Sequence, residues 1–182
     1  MVGEMPLVDA HVHLPRLTAL PPFWFDWARR HGQVPLEELY GTDGHPIPEK
    51  VDAYFAAEGV DVVLLLPEYS PRTVGVHPYE DLLPLVAHNP RRFRFLASLN
   101  PHLHYPAVVH LERQLEAGAV GYLLKEEAPE AIVEAIRAAA RGGMYFSPGV
   151  ADLVRAVLEG KGPAKLTDRE REVLRLMAEG LS

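Results

Sequence analysis

The sequence predicts an α/β fold: a parallel sheet of about four strands with covering helices, followed by a C-terminal helical tail. Three observations carry that expectation. Short apolar runs alternate with longer amphipathic ones along most of the chain, the pattern of strands joined by crossover helices. The run Val60-Asp-Val-Val-Leu-Leu-Leu66 is continuous and rich in β-branched residues, as in a strand buried on both faces. Glycines stand where the helical periodicity stops, at Gly59, Gly118 and Gly142, as helix C-terminal stops do.

Composition bounds the rest. With 182 residues the chain can build one domain with a substantial core, or one domain plus a short appendage. No apolar run reaches spanning length and no charged stretch leads into an apolar one at the start, so a cytoplasmic location without membrane contact is expected. The absence of cysteine excludes disulfides, thiolate nucleophiles and Cys-based metal sites. A net charge of −7 is the wrong sign for a surface that binds nucleic acid all over, though it permits a local basic patch.

The first strand is Pro6-Leu-Val-Asp-Ala-His-Val-His13. Residues two apart on a strand point to the same side, so His11 and His13 are expected to converge beyond its C-terminal end, where parallel α/β sheets place ligands. A rigid pair of imidazoles suits Zn, Fe, Ni or Cu(II). A solvated histidine pair is the plain alternative.

Asp9, His11 and His13 form an Asp-x-His-x-His motif that resembles the first barrel strand of the amidohydrolase superfamily, in its amidohydrolase-related (decarboxylase-like) branch. The resemblance runs on through Glu68–Gly75 and Asn89–Pro101, covering about residues 1–120. It implies a divalent metal, Zn above all, held by His11 and His13; His102, just after the third strand, is a candidate third ligand by its position. Asp9, Glu68 and Glu126 are other candidates for the third position. Asp9 or Glu68 would orient a metal-activated water in hydrolysis or decarboxylation of a small-molecule substrate. The implied fold is part of a TIM-like barrel. A whole barrel needs about 250 residues, and no histidine follows His110 to supply later ligands. An incomplete or chimeric enzyme with weak or no activity is therefore the expectation.

The middle of the chain reads in order. Pro21–Arg30 is aromatic-rich with prolines at its first turn; Phe23, Trp24 and Trp27 could cover a substrate mouth, though core packing is the usual fate of such clusters. Tyr40–Pro46 is turn chemistry, and Pro48 to Glu58 is a helix; His31 and His45 read as solvated. Pro67 to His77 is a polar exit loop in which Glu68 and Arg72 could touch a ligand or each other. Pro78 to His88 is a helix broken at Pro84, Phe93 to Leu99 a strand, and Pro106 to Ala117 an amphipathic helix. Ala119 to Leu124 is the next strand, with Lys125 at its end.

After Gly118 the pattern changes. A helix from Ala128 to Arg141 carries Ile132, Val133 and Ile136 as one stripe; a second spans Val150 to Leu158. A linker over 160–165 precedes a capping box at Thr167-Asp-Arg-Glu170. Gly121-Tyr-Leu-Leu-Lys-Glu126, Tyr145-Phe-Ser-Pro148 and Leu166–Ser182 resemble NarL/LuxR-type response regulators: the end of a receiver domain, its linker and the first helix of a helix-turn-helix. That resemblance implies a flavodoxin-like sheet. It also implies an acidic cluster and a phosphorylatable Asp at strand ends, yet the matching strand reads Val62-Val-Leu-Leu-Leu66 and then Pro67. Lys125 alone matches, so phosphorelay chemistry is not expected.

Three parts follow: an α/β domain over 1–142 (units 1–118 completed by 119–142), a helical connector over 143–160, and a linker with a truncated helix-turn-helix over 161–182. The leading functional expectation is the amidohydrolase-like metal protein. The alternative is a response-regulator-like transcription regulator fragment, homodimeric through its C-terminal helices; since the second helix reads DNA, binding by this chain alone is not expected.

Overall fold

Parallel strands follow one another across one layer in the order of the chain. The computed structural model describes residues 6–32, 35–100, 107–123, 128–148, 150, 151 and 155. β1 (Val8–Val12) pairs with β2 (Val62–Leu65), and β2 with β5 (Phe93–Phe95), all parallel. β6 (Gly121–Tyr122) pairs parallel with β7 (Tyr145–Phe146). Hydrogen bonds from Val120 to the Phe95 carbonyl and from Ala97 to the Gly121 carbonyl tie the two groups together. Between β2 and β5 a short antiparallel hairpin, β3 (Glu68–Ser70) and β4 (Gly75–His77), stands apart from the layer. Tyr145–Phe146 is thus a strand beyond the four expected, and the exit loop after Leu66 is a hairpin.

The helices are α1 (Pro22–His31), α2 (Leu36–Leu39), α3 (Pro48–Ala57), α4 (Leu83–His88), α5 (Ala107–Glu116) and α6 (Pro129–Ala140). The helix expected from Pro78 does break near Pro84: a 3₁₀ turn over Tyr79–Leu82 precedes α4, whose first turn takes the proline. Helices α3, α5 and α6 end identically. Glycines 59, 118 and 142 have φ of +72°, +97° and +82°. Each directs its own N–H to the carbonyl three residues back, and the next N–H reaches five back. This is the Schellman stop, and in each case a strand begins within three residues.

Alternation along β2 and β5 sorts the core into two faces. Val63, Leu65, Phe93 and Phe95 pack with Val51 and Phe55 of α3, Leu85 of α4 and Leu111 and Leu115 of α5. Val62 and Leu64 face the other way and are covered by Ala139 and Ile136 of α6, with Val8, Ala10 and Val120 alongside. The sheet is therefore enclosed on both sides, as the unbroken apolar run of β2 requires.

The placement of α6 departs from that of the earlier helices. From β1 to β6 the chain steps sideways in one direction with its helices on one face. The step from β6 to β7 continues that direction with α6 on the other face, so it has the opposite hand. Parallel crossovers are right-handed in about 98% of cases, and here they do not all share a hand. The α6 stripe differs too: Ala135 and Ala139 are buried with Ile136 beside them, whereas Ile132 and Val133 are exposed.

Candidate functional site

Above the C-terminal ends of β1 and β2 the structure holds a cavity of about 230 Å³. Its floor is His13 and Leu14 after β1 and Leu66 after β2; Glu68, Val74 and His77 come from the hairpin, and Pro78, Asp81 and Leu82 from the 3₁₀ turn. Leu20 and Trp24 close the remaining side. The hairpin is held in place from below and behind. The Tyr69 hydroxyl accepts a hydrogen bond from the Tyr79 N–H at 3.3 Å, and Asn100 donates to the Tyr69 carbonyl at 2.5 Å. The strand-end loop is held in turn by the fully buried Gln114 of α5, which bonds both the N–H (2.9 Å) and the carbonyl (3.0 Å) of Ser98.

His11 and His13 converge as their spacing predicts. Their Nε2 atoms lie 3.0 Å apart with the rings edge-on. The Nδ1 of His13 is 3.0 Å from the Leu66 carbonyl; a carbonyl only accepts, so Nδ1 carries a proton, and in the neutral tautomer the Nε2 lone pair is the one turned toward His11. Asp9 is engaged locally, its Oδ1 accepting from the His11 N–H at 3.3 Å. The Glu68 carboxylate lies 3.8 Å from His13 Nδ1, the ring nitrogen that does not meet His11. A Zn site needs at least three protein ligands, and no group of three or more His, Asp or Glu that could hold a metal occurs among the described residues. The residues described do not fit the expected metal centre. His102, Lys125 and Glu126 lie outside them, as do the linker and the capping box.

Other sequence-derived candidates separate. Phe23 and Trp27, expected in a core, are 65% and 55% exposed; Trp27 stacks on His31. Of the aromatic cluster, Trp24 alone reaches the cavity. The residues that sequence reasoning passed over are His77 and Asp81. His77 is 7% exposed, and its Nε2–H donates to the Val74 carbonyl at 2.8 Å. Its Nδ1 and the Asp81 Oδ2 are buried without a hydrogen-bond partner. The available signal was position: His77 ends the loop already singled out as ligand-facing, and Asp81 follows by one helical turn.

Comparison with known proteins decides the larger question. No protein-family model matches the chain. The transcriptional regulatory protein MctR of Rhizobium johnstonii is 45% identical over 65 residues, 36% of this chain and 30% of MctR. The nitrate/nitrite response regulator NarP of Escherichia coli is 44% identical over 72 residues (37% of this chain, 34% of NarP). DesR of Bacillus subtilis, another transcriptional regulatory protein, is 38% identical over 71 residues, 39% of this chain and 33% of DesR. The chain is similar to NarL/LuxR-type response regulators. It spans about a third of the length of these curated relatives. Among solved structures, the RcsB response regulator of Salmonella typhimurium superposes on 97% of the chain at 19% identity with a TM-score of 0.46, too loose to assign a shared fold.

These relatives overturn the leading expectation of an amidohydrolase-like metal hydrolase or decarboxylase: the matched proteins are named as transcriptional regulatory proteins or response regulators. The physical reason for the misreading is plain. An Asp-x-His-x-His run is short, and its two imidazoles converge through strand periodicity alone, whether or not further ligands join them. No helix among the described residues is long and apolar enough to cross a membrane.

Proposed function

We propose that this chain is the regulatory part of a response-regulator-type transcription factor. In this reading the α/β domain receives a signal, and the segment beginning at Thr167 belongs to the DNA-contacting helix-turn-helix. The observation that supports it is the 38–45% identity to named transcriptional regulatory proteins and a response regulator over 65 to 72 residues, close to the length of the stretch 116–182 that carries the response-regulator motifs. The signal is not aspartyl phosphorylation. β2 ends in Leu64-Leu65 and Leu66-Pro67 follow it, and a leucine side chain neither accepts a phosphoryl group nor binds Mg²⁺.

Regulators with a helix-turn-helix read two half-sites as dimers. The exposed Ile132 and Val133 of α6 belong, in this reading, to a homodimer contact. The test is selection of the full gene product against a randomised duplex DNA pool, with sedimentation run in parallel. Enrichment of an inverted repeat, bound by a dimer with affinity falling steeply as salt rises, is the expected result. A monomer that enriches no sequence overturns the proposal.

A further inference from the structure

We propose that the cavity above β1 and β2 takes a small uncharged apolar ligand, about the size of one substituted aromatic ring, and that α1 is a lid fastened over it by Trp24. The wall has little polarity left to offer a ligand. Both ring nitrogens of His13 are engaged, Nδ1 with the Leu66 carbonyl and Nε2 with His11. The His77 Nε2–H is spent on the Val74 carbonyl, and its Nδ1, like the Asp81 Oδ2, has no accessible surface. Glu68 is partly exposed and holds its carboxylate 3.8 Å from His13 Nδ1. Neither Lys nor Arg lines the cavity. What remains to be touched is hydrocarbon and indole, from Leu14, Leu20, Leu66, Val74, Leu82 and Trp24.

Such a wall selects against charge. An anion meets carboxylates and no cation, and an ammonium is stripped of water against hydrocarbon. An uncharged apolar body gains by leaving water. An apolar cavity of about 150 Å³ is large enough for benzene; this one holds about 230 Å³, below the roughly 300 Å³ at which drug-sized pockets begin. The lid rests on a separate observation. Among the described side chains of α1 (Pro22–His31), Trp24 alone is not exposed, while Phe23 and Trp27 face solvent. Through those side chains α1 is held to the domain by one indole at the cavity's edge, and segments with few buried apolar contacts open most readily. A ring filling the space beneath Trp24 adds the contact that α1 lacks. In the regulatory reading this ligand is the signal that phosphorylation does not supply. That link rests on the regulatory reading; the binding itself, measured without DNA, does not.

The experiment titrates the full chain with toluene, benzylammonium and benzoate, three one-ring probes of different charge, by calorimetry, and follows amide exchange over residues 22–31 by mass spectrometry. Toluene is expected to bind, and both charged probes at least tenfold more weakly. Exchange in α1 is expected to slow severalfold when toluene saturates the site. Val74→Trp, which fills the cavity from the hairpin, is expected to abolish both effects. Trp24→Ala, which removes the fastening, is expected to weaken toluene about tenfold and to leave α1 exchange unresponsive. Circular dichroism checks that each variant is folded. No toluene binding at millimolar concentration, a charged probe binding as well as toluene, α1 exchange unmoved by bound toluene, or unchanged toluene affinity in a folded variant overturns the proposal.

Discussion

The two faces of the sheet are built from different material. On one, Phe93 and Phe95 are completely buried, Tyr79 stacks on Phe95 with ring centres 5.7 Å apart, and Phe55 meets Phe93 edge-on at 6.1 Å. Three helices close over that face with leucine and valine. On the other, among the described residues, Val62, Leu64 and Ala139 form the buried cluster, with α6 over them. Arg94, which projects to this thinner side beside Leu64, donates its Nη1–H to the Ala139 carbonyl near the end of α6. Burial lowers the Arg94 pKa, yet the guanidinium stays charged. The first face is a core in its own right. The second is a cover, held by small residues and one cationic strut.

That contrast predicts an order of sensitivities. Phe95→Ala empties the middle of the thick face and is expected to cost about 3–5 kcal/mol, read as a lowered urea midpoint. A loss below about 1 kcal/mol would mean that the face is not the main core. Ala139→Leu overfills the thin face and is expected to cost about 1–3 kcal/mol. Hydrogen exchange should then rise in α6 while α3 and α5 keep their protection, whereas uniform loss would show the two faces to be one cooperative unit.

A smaller effect belongs to the polar clasp behind the thick face. Asp52 of α3 accepts hydrogen bonds from Asn89 and from Arg92, the latter at 2.6 Å, with His88 3.5 Å away. Burial alone would raise its carboxyl pKa, but the Asn89 and Arg92 hydrogen bonds and the charges of Arg92 and His88 together hold it below the usual carboxylate range. A depressed folded value means the contribution is fully present above the unfolded value of about pH 4. It is lost as the pH falls through the folded value. Asp52→Asn is expected to cost about 1–2 kcal/mol near neutrality and to flatten the acid limb of the stability curve; an unchanged acid limb would remove Asp52 from that role. Gly118→Ala, where nothing lies within 4 Å of the added methyl but φ is +97°, should cost about 1 kcal/mol through backbone strain alone. A thermal melt suffices to check it, and no change would mean the junction turn relaxes freely.

Much of the local structure was legible. The helix from Pro48 and the one from Pro129 begin where their prolines predict, and the Gly59, Gly118 and Gly142 stops fall where the periodicity ends. His11 and His13 converge because a two-residue period admits no other outcome on one strand. The candidate site was legible only in part. His13 and Glu68 were found from motif and loop position, and Trp24 from its aromatic cluster; His77 and Asp81 carry no motif at all. They matter because the β3–β4 hairpin and the 3₁₀ turn fold back over the strand ends, a long-range event.

What the sequence determined by itself was therefore the alternation of strands and helices, their end-stops, and the need of Val62–Leu65 for cover on both faces, because periodicity and capping act within a few residues. The tertiary structure decided which helix supplies the second cover, that Tyr145–Phe146 extends the sheet, and which side chains share a cavity. Those outcomes depend on which apolar areas remain to be buried once the first helices have docked. That balance is struck between residues as far apart as Val8 and Ala139, beyond the reach of any local pattern.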